Sequence, residues 1–206
     1  MTVRTYRLDH DLGFAPNPFF GWCTLACCMP AIRKSAAEGD IIIGMAGAGK
    51  RGLGRIHPQL IYWMRVDEAM TFDEYWKDAR FARKRPRMDG CKMHNVGDRT
   101  YRHEAGLEGW QFEPSMHHVP SSGGGASHVA LDTKVDRLLV GKEFTYWGGA
   151  GPALPPQLLS LFSNPRNQKC QAEGPALDQL LEFIGVNTPL GVVGDPADWD
   201  NRRYFS

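Results

Sequence analysis

Residues His10–Gly44 read HDLGFAPNPFFGWCTLACCMPAIRKSAAEGDIIIG, and this stretch decides the fold. Asp11 to Phe19 cannot form a regular element, because Pro16 and Pro18 lack N–H donors and push Ala15 and Asn17 into extended conformations. Pro30 suits the first turn of a helix, where its missing donor costs nothing. Ala31 to Glu38 continues that helix, Gly39 is placed to end it, and Asp40-Ile41-Ile42-Ile43-Gly44 reads as a buried strand. An aromatic, polar loop carrying Trp22, Cys23, Cys27 and Cys28 is therefore pinned against a core by a helix and a strand. Loops held on a rigid frame are where sites are usually built.

The remaining strand signals are separated by unequal stretches. Val3 to Leu8 is a short first strand. In Leu60 to Val66, the side chains of Leu60, Tyr62, Met64 and Val66 alternate onto one face, and Ile61 and Trp63 make the first half apolar on both faces. Thr71 and Glu74 form a capping box that opens a helix with Phe72, Tyr75, Trp76 and Ala79 on one face. Val135 to Trp147 is strand-like again, with Gly141 as a bulge signal. Short helices are expected over Leu158–Phe162 and around Leu177, Leu180, Leu181 and Ile184, the latter closed by Gly185. Arg87 to Ser127 shows no period but carries Tyr101, Trp110, Phe112 and four histidines, so it reads as a functional insertion. The pattern implies one α+β domain over residues 1–206, with a small twisted sheet or barrel.

With 206 residues there is ample chain for a core, and 42% apolar and 23% charged residues are ordinary for a globular chain. No apolar run approaches the roughly 20 residues of a membrane helix, and Met1–His10 has no apolar signal region. A cytoplasmic chain with five reduced cysteines is expected. The formal charge is +1, but Lys77 to Arg102 holds nine basic and three acidic residues. That segment carries +6, so the remainder carries −5. It is either a solvated surface or a phosphate-contacting patch.

Three motifs suggest chemistry. Gly44-Met45-Ala46-Gly47-Ala48-Gly49-Lys50 fits the spacing of a phosphate loop, but Arg51 stands where Ser or Thr must hold magnesium, so nucleotide hydrolysis is rejected. The turn can still offer N–H groups and Lys50 to a phosphate. Cys23-x3-Cys27-Cys28 and Cys91-x2-His94 lack diagnostic zinc spacing, so no metal and no cofactor are expected. Cys23 near a helix start, with Asn17 as an oxyanion donor and His117 or His128 as base, gives a faintly papain-like order of residues.

Three blocks together carry a family resemblance: DLGFAPNPFFGWCTLACCMPAIRKSAAEGDIIIG, IYWMRVDEAMTFDEYWKDARF, and DTKVDRLLVGKEFTYWGG followed by ALPP. They resemble the nucleotide modification-associated domain of the second type, and the strand pairing is similar to PUA, EVE and ASCH-like domains. The resemblance implies a small β-barrel or strongly twisted mixed sheet with flanking helices. It also implies recognition of a modified or flipped base, or of a modified nucleotide, in a DNA-modification or phage-defence system. The partners are then nucleic acid or a modified nucleotide, and proteins of a modification complex, with no membrane. On that reading Asn17, Trp22, Trp63, Tyr101, Trp110 and Gln111 line the base pocket, with Asn17 and Gln111 reading the base edge. Lys50, Arg51 and Arg55 meet phosphate, and Arg83, Lys84, Arg85 and Arg87 form an outer track. The rival reading is the cysteine-dependent enzyme.

Overall fold

The computed structural model describes residues 1–46, 58–118, 125–162, 168–186 and 189–200. In chain order the elements are β1 (Val3–Leu8), β2 (Cys23–Leu25), α1 (Pro30–Ser35), β3 (Ile41–Ala46), β4 (Leu60–Arg65), β5 (Glu68–Met70), α2 (Phe72–Lys77) and α3 (Lys92–Asn95). They continue with β6 (Tyr101–Arg102), β7 (Gln111–Phe112), α4 (Gly125–Thr133), β8 (Leu138–Gly141), β9 (Phe144–Tyr146), β10 (Gln168–Gln171), α5 (Pro175–Val186) and β11 (Gly191–Val192). The main sheet has the order β10-β1-β3-β4-β9-β11, a second sheet the order β2-β8-β5, and β6-β7 is a small hairpin. β1 and β3 are parallel and joined through α1, whereas β3-β4, β4-β9 and β1-β10 are antiparallel.

Both faces of the main sheet are buried, which explains the unbroken apolar run Ile41–Ile43. Ile41 and Ile43 face Leu177, Leu180 and Ile184 of α5 and the short helix Pro156–Leu161. Ile42 faces Ile32 of α1 and Leu25 and Leu139 of the second sheet. The second sheet alternates in turn: Cys23, Leu25 and Leu139 point to the main sheet, while Leu138 and Val140 point to Phe72, Tyr75, Phe81 and Tyr101. The molecule is thus a stack of α5, main sheet, second sheet and insertion. At roughly 1.5–3 kcal/mol for each fully buried large apolar side chain, these three contiguous clusters supply the main stabilising force.

Some elements differ from expectation for local reasons. Gly44 pairs with Tyr62 and Met45 with Leu60, so Ile61 is an extra residue in a β-bulge. The bulge breaks the alternation and moves Leu60 to the α5 side, away from Tyr62 and Met64. The strand expected over Val135–Trp147 is two strands in different sheets. Gly141 sits at the switch, where a Cβ would lie 2.3 Å from the Arg65 carbonyl oxygen. α1 stops at Ser35 with Ala36 already extended, so Gly39 serves not as the helix cap but as the turn into β3, with φ +83°. The Thr71–Glu74 capping box is present in both directions, but α2 ends at Asp78 and a 3-10 turn over Ala79–Lys84 follows. The Arg87–Ser127 stretch carries α3, the β6-β7 hairpin and a 3-10 turn at Met116–His118.

The fold is mixed α+β. Among the described residues the main sheet is open, with β10 and β11 at its two edges, and it does not close into a barrel. β8 lies in the second sheet between β2 and β5, and the chain after it re-enters the main sheet as β9 beside β4.

Candidate functional site

The loop quoted at the outset is held by buried carboxylates. Asp11 accepts from Tyr146 Oη and from the backbone N–H groups of Ala197 (3.0 Å) and Gly13 (3.4 Å). Burial pushes its carboxyl up to about 6. Further along, Asp98 accepts from Thr24 Oγ1 at 2.5 Å and Tyr75 Oη at 2.7 Å, and lies near the buried Lys84. Lys84 Nζ donates to the Asn17 carbonyl (2.8 Å), Asn17 Oδ1 (2.7 Å) and Thr24 Oγ1 (3.0 Å). These bonds tie the loop to β2 and to the insertion.

The same loop forms one wall of a cavity of about 410 Å³. Tyr6 to His10, at the end of β1, form a second wall, and Cys28 to Ala31, at the start of α1, a third. His117 closes it from the insertion, stacked on Phe14 with ring centroids 4.6 Å apart and planes 16° from parallel. Cys28 and Met29 both take left-handed backbone angles, with φ +58° and +37°. Two consecutive non-glycine residues in that region carry strain, of about 1–3 kcal/mol each, and such strain clusters at functional sites. It is sustained here by a buried frame. Cys28 N–H donates to Asp132 Oδ1 at 3.0 Å, and its carbonyl accepts from Arg33 Nε at 2.8 Å. Arg33 also donates to the carbonyls of Asp132, Val135 and Arg137.

The thiol and the imidazoles at the site are uncharged, while Arg7 and Asp9 also line the cavity. Burial and the neighbouring imidazole of His118 push His117 down to about 3. His118 is also brought to about 3, by burial and then by His128, whose ring lies 4.7 Å away. Burial and the Asp132 carboxylate raise the Cys28 thiol to about 12. Behind this wall Tyr101 Oη donates to Asp132 Oδ2 at 3.0 Å, and His118 Nε2 lies 3.4 Å from the same oxygen. At neutral pH the cavity therefore offers an uncharged thiol, an uncharged imidazole able both to donate and to accept, and largely apolar walls in which Arg7 and Asp9 also take part.

The residues expected at a site are scattered by the fold. Asn17 is fully buried, and its amide is used within the protein, donating to the Val96 carbonyl at 3.0 Å and accepting from Phe19 N–H. It is free neither to read a base nor to hold an oxyanion. Trp63 faces α5, on the other side of the main sheet from Tyr6 and Leu8. Tyr101 is buried behind the cavity, its ring stacked on Phe112. Trp110 is half-buried against Phe72 and His103, and Gln111 Nε2 donates to the Glu108 carbonyl at 3.5 Å. Trp22 lies beneath the cations of Arg80 and Lys142. Lys84 is no outer contact, because its ammonium is fully buried and fully bonded. Arg85 pairs with Glu113 and Arg87 with Asp89, while Arg83 lies over Phe20. Lys50, Arg51 and Arg55 lie outside the described residues.

The enzyme reading loses its thiol. Cys23 sits between the two sheets with no exposure, and burial drives it up to about 12. The thiol that shares a cavity with His117 is Cys28. Period-two alternation offered a signal for this: Cys23 and Leu25 point inward, and of the Cys27-Cys28 pair only Cys28 is partly exposed. Phe14 and Met29 carried no signal of their own in the sequence. Cys91 Sγ lies 3.2 Å from His94 Nδ1, but among the described residues no set of three ligands suited to a metal ion exists.

Fold and cavity together define an α+β protein with a largely apolar, small-molecule-sized cleft beside a loop rich in aromatics. The family model described as nucleotide modification associated domain 2 matches residues 1–203. The chain belongs to that family, which associates it with nucleotide modification. Neither a curated protein nor a solved structure matches it. No helix among the described residues is long and apolar enough to cross a membrane.

Proposed function

We propose that the cleft between the end of β1 and the start of α1 receives the base of a modified nucleotide, free or flipped from a strand, within a DNA-modification or defence system. The observation that carries this reading is that Cys28 and His117, both uncharged, share a largely apolar cavity whose lining also includes Arg7 and Asp9. A nucleobase is a flat, uncharged heteroaromatic. It needs a few neutral donors and acceptors and apolar walls, in a volume within the roughly 300–1,000 Å³ usual for small ligands. Phe14 and the His117 ring stacked on it form the aromatic wall. Tyr101 packs in the same buried cluster as Phe14, and Asn17 and Lys84 fix the loop that follows it.

The enzyme alternative, moved to Cys28, needs a thiolate, which burial and Asp132 oppose. Calorimetric titration with canonical and base-modified nucleosides tests the proposal. Ala31 is exposed on the cavity rim, so Ala31→Trp can fill the mouth without entering the core. Binding of one modified nucleoside, abolished by Ala31→Trp, is expected. Binding that survives both Ala31→Trp and His117→Ala would remove the base from this cleft.

A further inference from the structure

A second depression, of about 740 Å³, shares no lining residue with the cleft. It runs between the loop at Phe19–Gly21, the start of α3 at Lys92, the turn at Lys142 and the chain around Trp199. Phe20 stands in it with φ +64°, a costly conformation for a bulky side chain. The Arg83 guanidinium lies 4.4 Å from the centre of its ring and the His94 ring 5.0 Å away. Trp199 stacks on Phe19 at 5.6 Å with planes 25° apart, and Lys92 Nζ lies 5.6 Å from the Trp199 ring.

The cations here differ from the rest of the basic segment. Arg80, Arg85, Arg87 and Arg102 are each paired with carboxylates. Arg83 and Lys142 are exposed and make no ion pair among the described residues. Asp195 is the acidic residue in the lining. Flat rings with uncompensated cations beside them match a flexible polyanion that carries flat groups. We infer that this groove binds a single-stranded nucleic acid segment, with phosphates at Lys142 and at Arg83, which reaches the groove through Phe20, and a base packed beside the Arg83–Phe20 stack. Exposed Met93, Leu190 and Val192 on the rim add apolar area to the same groove.

The probe is a fluorescently labelled oligothymidylate of eight nucleotides, titrated by anisotropy over a series of salt concentrations. Binding should fall linearly in log–log form with salt. Arg83→Gln with Lys142→Gln should reduce the slope by about 1.4, at about 0.7 for each phosphate contact on a single strand. Phe20→Asn keeps a residue that tolerates the left-handed angle but removes the ring. It should weaken binding about 5- to 100-fold at every salt concentration with the slope unchanged. Ala31→Trp should leave this binding intact, so failure of the base cleft and failure of the groove are read separately. No binding by the wild-type chain, or an unchanged slope and affinity in these variants, overturns the inference. A concentration-dependent dimer abolished by Leu190→Asp, with oligonucleotide binding unaffected, also overturns it and assigns the groove to a second copy of the chain.

Discussion

Replacing Lys84 by Met tests whether the basic segment is partly a core element. The two side chains are similar in length, so the change removes the ammonium with little change in volume. Three acceptors lose a donor. The Asn17 carbonyl keeps the Thr24 N–H at 2.9 Å, and Asn17 Oδ1 keeps the Phe19 N–H at 3.2 Å. Thr24 Oγ1 still donates to Asp98. The main loss falls on Asp98, a fully buried carboxyl whose principal stabilising charge is Lys84. Removing one partner of a buried charge pair costs about 3–5 kcal/mol. The surviving bonds to Thr24 and Tyr75 place this case at the lower end, about 3 kcal/mol near pH 7.

The pH dependence gives the sharper check. Burial holds the Asp98 carboxyl above its ordinary 3.8 in the folded protein. The stability contributed by such a group is fully present below 3.8 and is lost as the pH rises through its raised folded value. Without Lys84 that value rises further and the loss extends to higher pH. The cost of Lys84→Met, measured by urea unfolding followed through tryptophan fluorescence, should therefore be small at about pH 4 and grow towards pH 7. Lys84→Met with Asp98→Asn should recover at least about half of it, because no uncompensated charge remains buried. A cost below about 1 kcal/mol at pH 7, a cost independent of pH, or a double variant no better than the sum of the singles would refute the coupling. Well-separated contributions add, whereas these two must not.

Asp11 supplies a second pH window. It is fully buried with a folded value of about 6 against 3.8, so its contribution is complete below about 4 and gone above about 6. Between pH 4 and 7 the protein should lose about 3 kcal/mol from this group, and Asp11→Asn should flatten that part of the stability profile. Thiol labelling at neutral pH should modify exposed Cys91 and Cys170 first. Half-buried Cys28 should react slowly and become protected by any nucleoside that fills the cleft. Cys23 and Cys27 should react only on unfolding.

The parts of the fold written in local chemistry were legible. The Thr71–Glu74 box, Pro30 at the start of α1, and the buried strand at Ile41 depend only on near neighbours, and they stand as read. What was not legible depends on partners distant in the chain. Ile61 becomes a bulge because its neighbours Tyr62 and Leu60 pair with the adjacent Gly44 and Met45, and Gly141 is required by the approach of the Arg65 carbonyl. Asn17 reads as a base-reading amide when only its loop is considered. It becomes a structural hub once Lys84 arrives from the turn after α2 and Val96 from the insertion. Trp63 reads as an available ring until α5 covers it.

The charge pattern follows the same logic. A count of +6 over Lys77–Arg102 treats every cation alike, yet the fold sorts them into different roles. Lys84 is consumed in the core, and Arg80, Arg85, Arg87 and Arg102 are neutralised by acids, several from other segments. Arg85, Arg99 and Arg102 all lie over the Trp76 ring, where their stems and charges cover the end of α2. Arg83 keeps its charge for solvent or a ligand, and it stands over Phe20, which is held at a left-handed angle. Net charge over a segment therefore indicates little about where a phosphate will bind. The informative quantity is the charge left after each internal carboxylate has been assigned. Here that remainder includes Arg83, which is exposed beside the Phe20 ring, so a phosphate would find an open cation there.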